Sequence, residues 1–194
     1  MHQSRGFTLL EVMVVVAIVA ILTTLAAPSF VALIQSNSVS SNVNAFIADV
    51  RYARSEAVRR GGAVIMCRSD APEAAAPVCN TTAGTNGWAT GWIIFEDRDG
   101  SLNYSAGTDA SQLLRVQGPI TNLDSIYDGS GSSAKFQFTA TGRMQNTALT
   151  YLLFGSTSSM PVTRQRVVCV NATGRARIVG DGSHVSECTT TNDR

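Results

Sequence analysis

Three groups of residues in this chain of 194 have types and spacings that carry chemistry. The first is a lone carboxylate: Glu11 is followed by a run from Val12 to Ala48 without one charged side chain, most densely apolar up to Ile34. An acid at the edge of so apolar a stretch is expensive to place near lipid, so its presence implies a task. The second is a set of arginines at alternate positions, Arg175 with Arg177 and Arg164 with Arg166, joined by the more isolated Arg143. Alternate residues of a strand share a face about 6.6 Å apart. Each pair thus presents two guanidinium forks together, a geometry suited to backbone phosphates and giving affinity without sequence preference. On spacing alone, a solvated arginine pair on an exposed strand explains them as well. The third group is four cysteines, Cys67, Cys79, Cys169 and Cys188, all beyond the apolar run. In an oxidising compartment they would be disulfides. Three pairings are formally open, and the simplest joins neighbours, Cys67 to Cys79 and Cys169 to Cys188.

Other chemistries lack parts. A zinc site has no Cys-x-x-Cys, and the only histidines are His2 and His184. His184 sits in Gly-Ser-His-Val with no nucleophile or base to partner it, as a surface-loop histidine would, so no enzyme is expected and no cofactor is implied. Asp97-Arg-Asp99-Gly100, followed by Asn103, is similar to the start of a calcium loop but lacks the third acidic position and the closing Glu, which leaves a solvated turn. Trp88 and Trp92 read as core or strand-end aromatics. The Asn-x-Ser/Thr triplets at Asn80, Asn103 and Asn171 carry little information.

The elements that must position these residues follow from periodicity. The apolar run can cross roughly 30 Å of hydrocarbon as a helix. Past Ile34 it turns amphipathic, with Val39, Val43, Phe46, Ile47, Val50, Ala53 and Ala57 in steps of three and four and with Asn37, Ser41, Asn44, Arg51, Ser55 and Arg59 elsewhere on the wheel. Gly61-Gly62 caps its end, so a single helix of about 54 residues, roughly 80 Å long, is predicted, with Pro28 as a kink or a loosened turn. The remainder reads as short strands: Ala63 to Cys67, Gly91 to Phe95, Gln112 to Val116, Lys135 to Thr139, Tyr151 to Phe154, Gln165 to Val170 and Arg175 to Val179. Asp70 to Trp88 is a loop trimmed by the first disulfide. The amphipathic half of the helix is expected to pack on an antiparallel sheet, an α+β head.

Net charge is +1, but it is unevenly spread. Residues 61–134 hold three basic against eight acidic side chains, net −5, while 135–194 hold seven basic against three acidic, net +4. Fourteen of the fifteen basic residues are Arg, the side chain suited to bidentate phosphate contacts. With about thirty residues committed to the apolar segment, some 130 to 160 remain, enough for one domain.

The junction Gly6-Phe7-Thr8-Leu9-Leu10-Glu11, with its charge-free run and Pro28, resembles the type III signal of type IV prepilins and of the pseudopilins of type II secretion. The short, positively charged leader lacks the small-residue cleavage site of a secretory signal. The resemblance implies that a prepilin peptidase and N-methyltransferase cuts after Gly6, that Phe7 becomes an N-methylated first residue, and that Glu11, fifth in the mature chain, neutralises the N-terminal amine of its own or a neighbouring subunit. It divides the chain into a leader (1–6), a transmembrane and filament-core helix (7–34), an amphipathic half-helix packing on the head (35–60) and a β-rich head (61–194). The block Trp88-Ala-Thr-Gly91-Trp92-Ile-Ile-Phe95-Glu-Asp97-Arg-Asp99-Gly100, after a helix ending near Arg60, is similar to the GspH/FimT domain of minor pilins and pseudopilins. FimT-like members carry a C-terminal Gly-Arg-x-Arg and take part in DNA uptake during natural transformation, and this chain has Gly174-Arg175-Ala176-Arg177. The likeness implies a minor type IV pilin with a pilin-like α+β fold. It would be anchored in inner-membrane lipid with its head in the periplasm, then be carried in the extracellular pilus among other major and minor pilins. Its implied partner is double-stranded DNA, held through Gly174, Arg175 and Arg177, to which the arginine spacing adds Arg164 and Arg166 and, more weakly, Arg143. The alternative is a GspH-like structural pseudopilin of type II secretion that contacts protein and no nucleic acid. The Arg175/Arg177 pair and the positive C-terminal third separate the two.

Overall fold

A computed structural model describes residues 7–80, 82, 84, 86–129, 135–145, 150–155 and 160–188. The leader, with His2 and Gly6, lies outside the described residues. The chain forms two compact units, Met1–Asn37 and Ser38–Arg194, and helix α1, Leu9–Arg60, supplies residues to both. Thr8 starts it as an N-cap: its Oγ1 accepts the Glu11 N–H at 3.2 Å. Gly61 ends it at φ +65, with the Gly62 N–H reaching back to the Ala57 carbonyl at 3.3 Å, the six-to-one bond of a Schellman cap. The helix continues through position 28 as one element. Within the first unit the large apolar side chains from Phe7 to Ile34 are exposed. An 18-residue stretch of α1 has a mean hydropathy of 2.6, long and apolar enough to cross a membrane.

The second unit holds the remainder of α1 and two four-stranded sheets. The strands are β1 Ala63–Arg68, β2 Trp92–Asp97, β3 Ser111–Gln117, β4 Ile126–Asp128, β5 Lys135–Phe138, β6 Thr150–Phe154, β7 Arg166–Val170 and β8 Ala176–Gly180. One sheet runs β3-β2-β1-β5 and the other β4-β6-β7-β8, with every neighbouring pair antiparallel. All seven expected strands are present within a residue or two. β4 was not expected, and the single sheet expected is two.

The two sheets share one core because α1 serves both. Val39, Val43, Phe46, Ile47, Val50, Ala53 and Ala57 are buried, the whole expected stripe, against Val64, Met66 and Ile94 of one sheet and Leu152, Val168 and Val170 of the other. Phe46 is the hub. Its ring lies 5.8 Å from Trp88, 5.5 Å from Trp92, 6.0 Å from Phe136 and 5.6 Å from Phe154, each edge to face. Such pairs add to the large apolar area that aromatics remove from water. Both tryptophans are therefore core residues, one of the two places the sequence allowed them. The cysteines pair as neighbours, Cys67 with Cys79 and Cys169 with Cys188, at Cα separations of 5.5 and 5.6 Å.

Candidate functional sites

At the start of α1 the sequence Thr8-Leu9-Leu10-Glu11 is a capping box in outline, Thr at N-cap and Glu three residues on. Glu11 stands in the first turn, where the positive end of the helix dipole favours a carboxylate. The Thr-x-x-Glu spacing is the local signal of this cap.

The arginine segment is built by a hairpin. β7 and β8 are joined through Asn171 to Arg175: the Gly174 N–H donates to the Asn171 carbonyl at 2.8 Å and the Asn171 N–H to the Arg175 carbonyl at 3.0 Å. That closes a three-residue loop with Gly174 in the left-handed region, φ +73. Asn171, buried, stiffens it from within. Its Oδ1 accepts the Thr173 hydroxyl at 2.6 Å and the Arg175 N–H at 3.0 Å. The glycine of the Gly-Arg-x-Arg motif is thus the hairpin's turn residue, and the two arginines leave that turn along the outgoing chain.

Register decides which way they face. Arg177 lies opposite Cys169 and Ala176 opposite Val170. Val168 and Val170 point into the core, and Ala176 packs against it. Arg177 and Arg175 therefore share the outer face, as the alternation predicted. Arg175 is exposed, and Arg177 is half-buried with its Nη2 3.4 Å from the Glu187 carbonyl. Cys169, bonded to Cys188, lies beside Arg177 on that face. Arg164 and Arg166 do not repeat the arrangement. Arg164 closes a 3₁₀ turn, Val162–Arg164, its N–H bonded to the Pro161 carbonyl at 2.9 Å, so the strand begins only at Arg166. Arg166 donates from Nη1 to the carbonyls of Gln165 and Thr163 at 2.7 and 3.0 Å. It sits three residues before Cys169 along β7, at the far end of the hairpin from Gly174, and alternation gives it the core-side face. Arg143, by contrast, is brought in. A Cβ built on Gly174 would lie 2.3 Å from the Gly142 carbonyl oxygen, so the 139–143 turn is seated on the hairpin tip, and the exposed Arg143 and Arg175 each follow one of the touching glycines.

His184 has partners that the sequence did not suggest. Its Nδ1 is 2.9 Å from Asp181 Oδ1 and 3.1 Å from Ser183 Oγ, and the Ser183 hydroxyl itself bonds Asp181. These are the residue types of a hydrolytic triad in the wrong arrangement. A triad uses opposite ring nitrogens for the acid and the nucleophile, whereas here both converge on Nδ1 and Asp181 is the N-cap of the short helix Gly182–Glu187. Bonds from Ser183 and then His184 hold the Asp181 carboxyl down at about 2, and the Asp181 contact raises His184 above its ordinary value. The Asp97–Asp99 turn is likewise internally satisfied. Asp97 accepts the Gly100 and Leu102 N–H groups at 3.1 Å, and the Lys135 ammonium donates to the Leu102 carbonyl and to Asn103 Oδ1 at 2.7 and 3.0 Å, oxygens a cation would need. Among the described residues no group of three or more His, Cys, Asp or Glu is placed to hold a metal.

A β-rich unit built on the far part of a helix whose opening is apolar and carries one capped Glu defines a subunit of the type IV pilin class. The chain belongs to the family described as type II transport protein GspH, whose model matches residues 42–174, and the prokaryotic N-terminal methylation motif matches residues 1–27. The fold is that of FimU, a type IV minor pilin of Pseudomonas aeruginosa strain PAO1: in its P21 crystal form the identity is 18%, the TM-score 0.52, and the match covers 74% of this chain and 89% of that one. The P65 form is 19% identical over 72% of this chain and 91% of that one, with a TM-score of 0.49. None of the curated proteins is significantly similar to the chain. It is a GspH/FimT-like minor pilin or pseudopilin, a subunit of a pilus or of a secretion apparatus, from a family of structural subunits and not of enzymes.

Proposed function

We propose that this chain is a minor type IV pilin that binds extracellular double-stranded DNA through phosphate contacts for uptake in natural transformation. Residues 1–6 are removed by the prepilin peptidase, residues 7–34 hold the subunit in the inner membrane and later in the filament core, and the β-rich head meets the DNA. The observation that carries the reading is the Gly174 hairpin. It sets Arg175 and Arg177 on one outward face beside a disulfide-bonded Cys169, with Arg143 brought alongside, in a C-terminal third of net charge +4. Guanidinium pairs held in this way suit the phosphate backbone and confer no base preference.

The test is a salt titration of duplex binding by the full chain in detergent micelles. Replacing Arg175 and Arg177 by Ala should weaken binding and flatten the log-log salt slope by about 1.8, at roughly 0.9 per phosphate. Arg98→Ala, whose guanidinium is engaged by Glu96 and Gln112, should change little. No binding by the wild type at low salt would remove the DNA reading. It would leave the second reading, favoured by the family's description as a type II transport protein, in which the head is a structural pseudopilin that contacts protein alone.

A further inference from the structure

The basic surface does not stop at the hairpin. On the flank of α1, Arg51 and Arg54 stand one turn apart, a spacing that brings Cβ atoms to about 5–6 Å. They line a groove of about 470 Å³ together with Ser55, Val58 and Arg59, and no carboxylate lines it. Arg59 is neutralised, its guanidinium paired with Glu56, which also takes Arg60. Arg51 and Arg54 have no ion pair among the described residues. The groove is joined to the hairpin by contact. A Cβ built on Gly142 would lie 3.0 Å from Arg54 Nε and 3.1 Å from Val58 Cγ2, and a Cβ on Gly174 would lie 2.3 Å from the Gly142 carbonyl oxygen. Helix flank, 139–143 turn and hairpin tip thus touch in sequence, and Arg54, Arg143 and Arg175 follow one another along that line.

We propose that this line is a single phosphate-binding surface, in which Arg51 and Arg54 of α1 contact the DNA backbone beyond the segment bearing Arg175 and Arg177. The inference rests on the reading of the chain as a DNA-binding pilin and extends the site to a second element. Duplex DNA presents one negative charge per about 1.7 Å of axis, so an extended row of guanidinium groups meets phosphates along its whole length. An acidic protein surface would offer carboxylates only at particular points. The exposed Val58 offers apolar surface that long arginine stems can cover while their charged ends stay in water.

The deciding experiment is fluorescence anisotropy of a labelled duplex with the full chain in detergent micelles, at salt from 50 to 200 mM, for wild type, R51A/R54A, R51K/R54K and R175A/R177A. The proposal expects R51A/R54A to flatten the log-log slope by about 1.8. Over that salt range the wild type then loses about tenfold more affinity than the variant. R51K/R54K, which keeps both charges, should keep the slope. Loss of slope in the lysine variant as well would mean that the guanidinium groups matter for local structure, and would overturn the proposal. If R175A/R177A flattens the slope and R51A/R54A leaves slope and affinity unchanged, the extension fails while the DNA reading stands. If the wild type does not bind, that reading fails first. R51A/R54A that binds DNA normally but is excluded from filaments would assign the groove to a neighbouring subunit and overturn the proposal.

Discussion

Gly174 joins two requirements at one residue. Its φ of +73 is a conformation that side chains disfavour, and the Cβ it lacks would fall 2.3 Å from the Gly142 carbonyl oxygen, a backbone atom that cannot swing away. Gly100 provides the comparison within the same unit, with φ +75 but nothing within 4 Å of its absent Cβ. Gly100→Ala should therefore cost only the left-handed strain, of order 1 kcal/mol. Gly174→Ala adds displacement of the 139–143 turn, should destabilise by about 2–3 kcal/mol, and should weaken DNA binding by separating Arg143 from Arg175. Thermal unfolding of the two variants checks this, and equal losses would show that the packing of the two turns contributes nothing. Some residue-scale features were not legible in advance. Arg68, at the end of β1, is 2% exposed, with Nη1 bonded to Asp70 and Thr90 and Nη2 to the Thr82 carbonyl. Asp49 interrupts the helix's apolar stripe, yet it takes the Trp92 indole N–H at 2.8 Å and Arg115 at 2.8 Å. Burial pushes its carboxyl up, against the Trp92 bond and the Arg115 charge, which pull it down. Asp70 apart, the partners come from distant segments, and no local pattern announces them.

At the scale of elements, α1 does most of the organising, because one stripe is shared by two sheets. Phe46 touches aromatics from both, so Phe46→Ala should open a cavity that neither sheet can close alone and cost about 3–5 kcal/mol. Chemical denaturation measures it, and a loss below about 2 kcal/mol would mean that the sheets repack without the helix. The end of the same helix carries a pH dependence. Hydrogen bonds from Arg59 and then Arg60 hold Glu56 at about 2, below its ordinary 4.5. A carboxyl depressed in the folded state stabilises it fully above the unfolded value, and this contribution is lost as pH falls through the folded one. Stability should thus decline between roughly pH 4.5 and 2, and Glu56→Gln should flatten that decline; an unchanged profile would remove Glu56 as its source. Elements with strong periodicity were legible: the helix from its stripe, its end from Gly61-Gly62, and seven strands from their β-formers. β4 is three residues long, too short for alternation to register. The spacing of Arg164 from Arg166 suits a strand, but Pro161 starts a 3₁₀ turn there. That local turn, not the charge pattern, decides where the side chain goes. The division into two sheets depends on which strands pair across long separations, and strand composition does not encode it.

For the molecule as a whole, the question is what covers the apolar opening of α1, whose large side chains from Phe7 to Ile34 are exposed. Lipid before assembly and other pilin helices afterwards are the proposed answers, and both make Glu11 the residue to test, since an acid in such surroundings carries a desolvation cost. Two roles compete for it. As the N3 member of a capping box it needs only a side chain that can reach back to the N-cap backbone, which Gln does as well as Glu. As the counter-charge to the amine of Phe7, exposed by cleavage after Gly6, it needs its charge. Glu11→Gln separates the two where Glu11→Ala does not. If the charge is used, both variants should be cut after Gly6, accumulate in the membrane and enter filaments poorly. Mass spectrometry of the mature N-terminus and quantification of the subunit in sheared filaments provide the readouts. Normal incorporation of Glu11→Gln with failure of Glu11→Ala would reduce Glu11 to a helix cap. An intact leader on wild-type protein from a pilus-competent cell would remove the processing step, and with it the amine that Glu11 is proposed to neutralise.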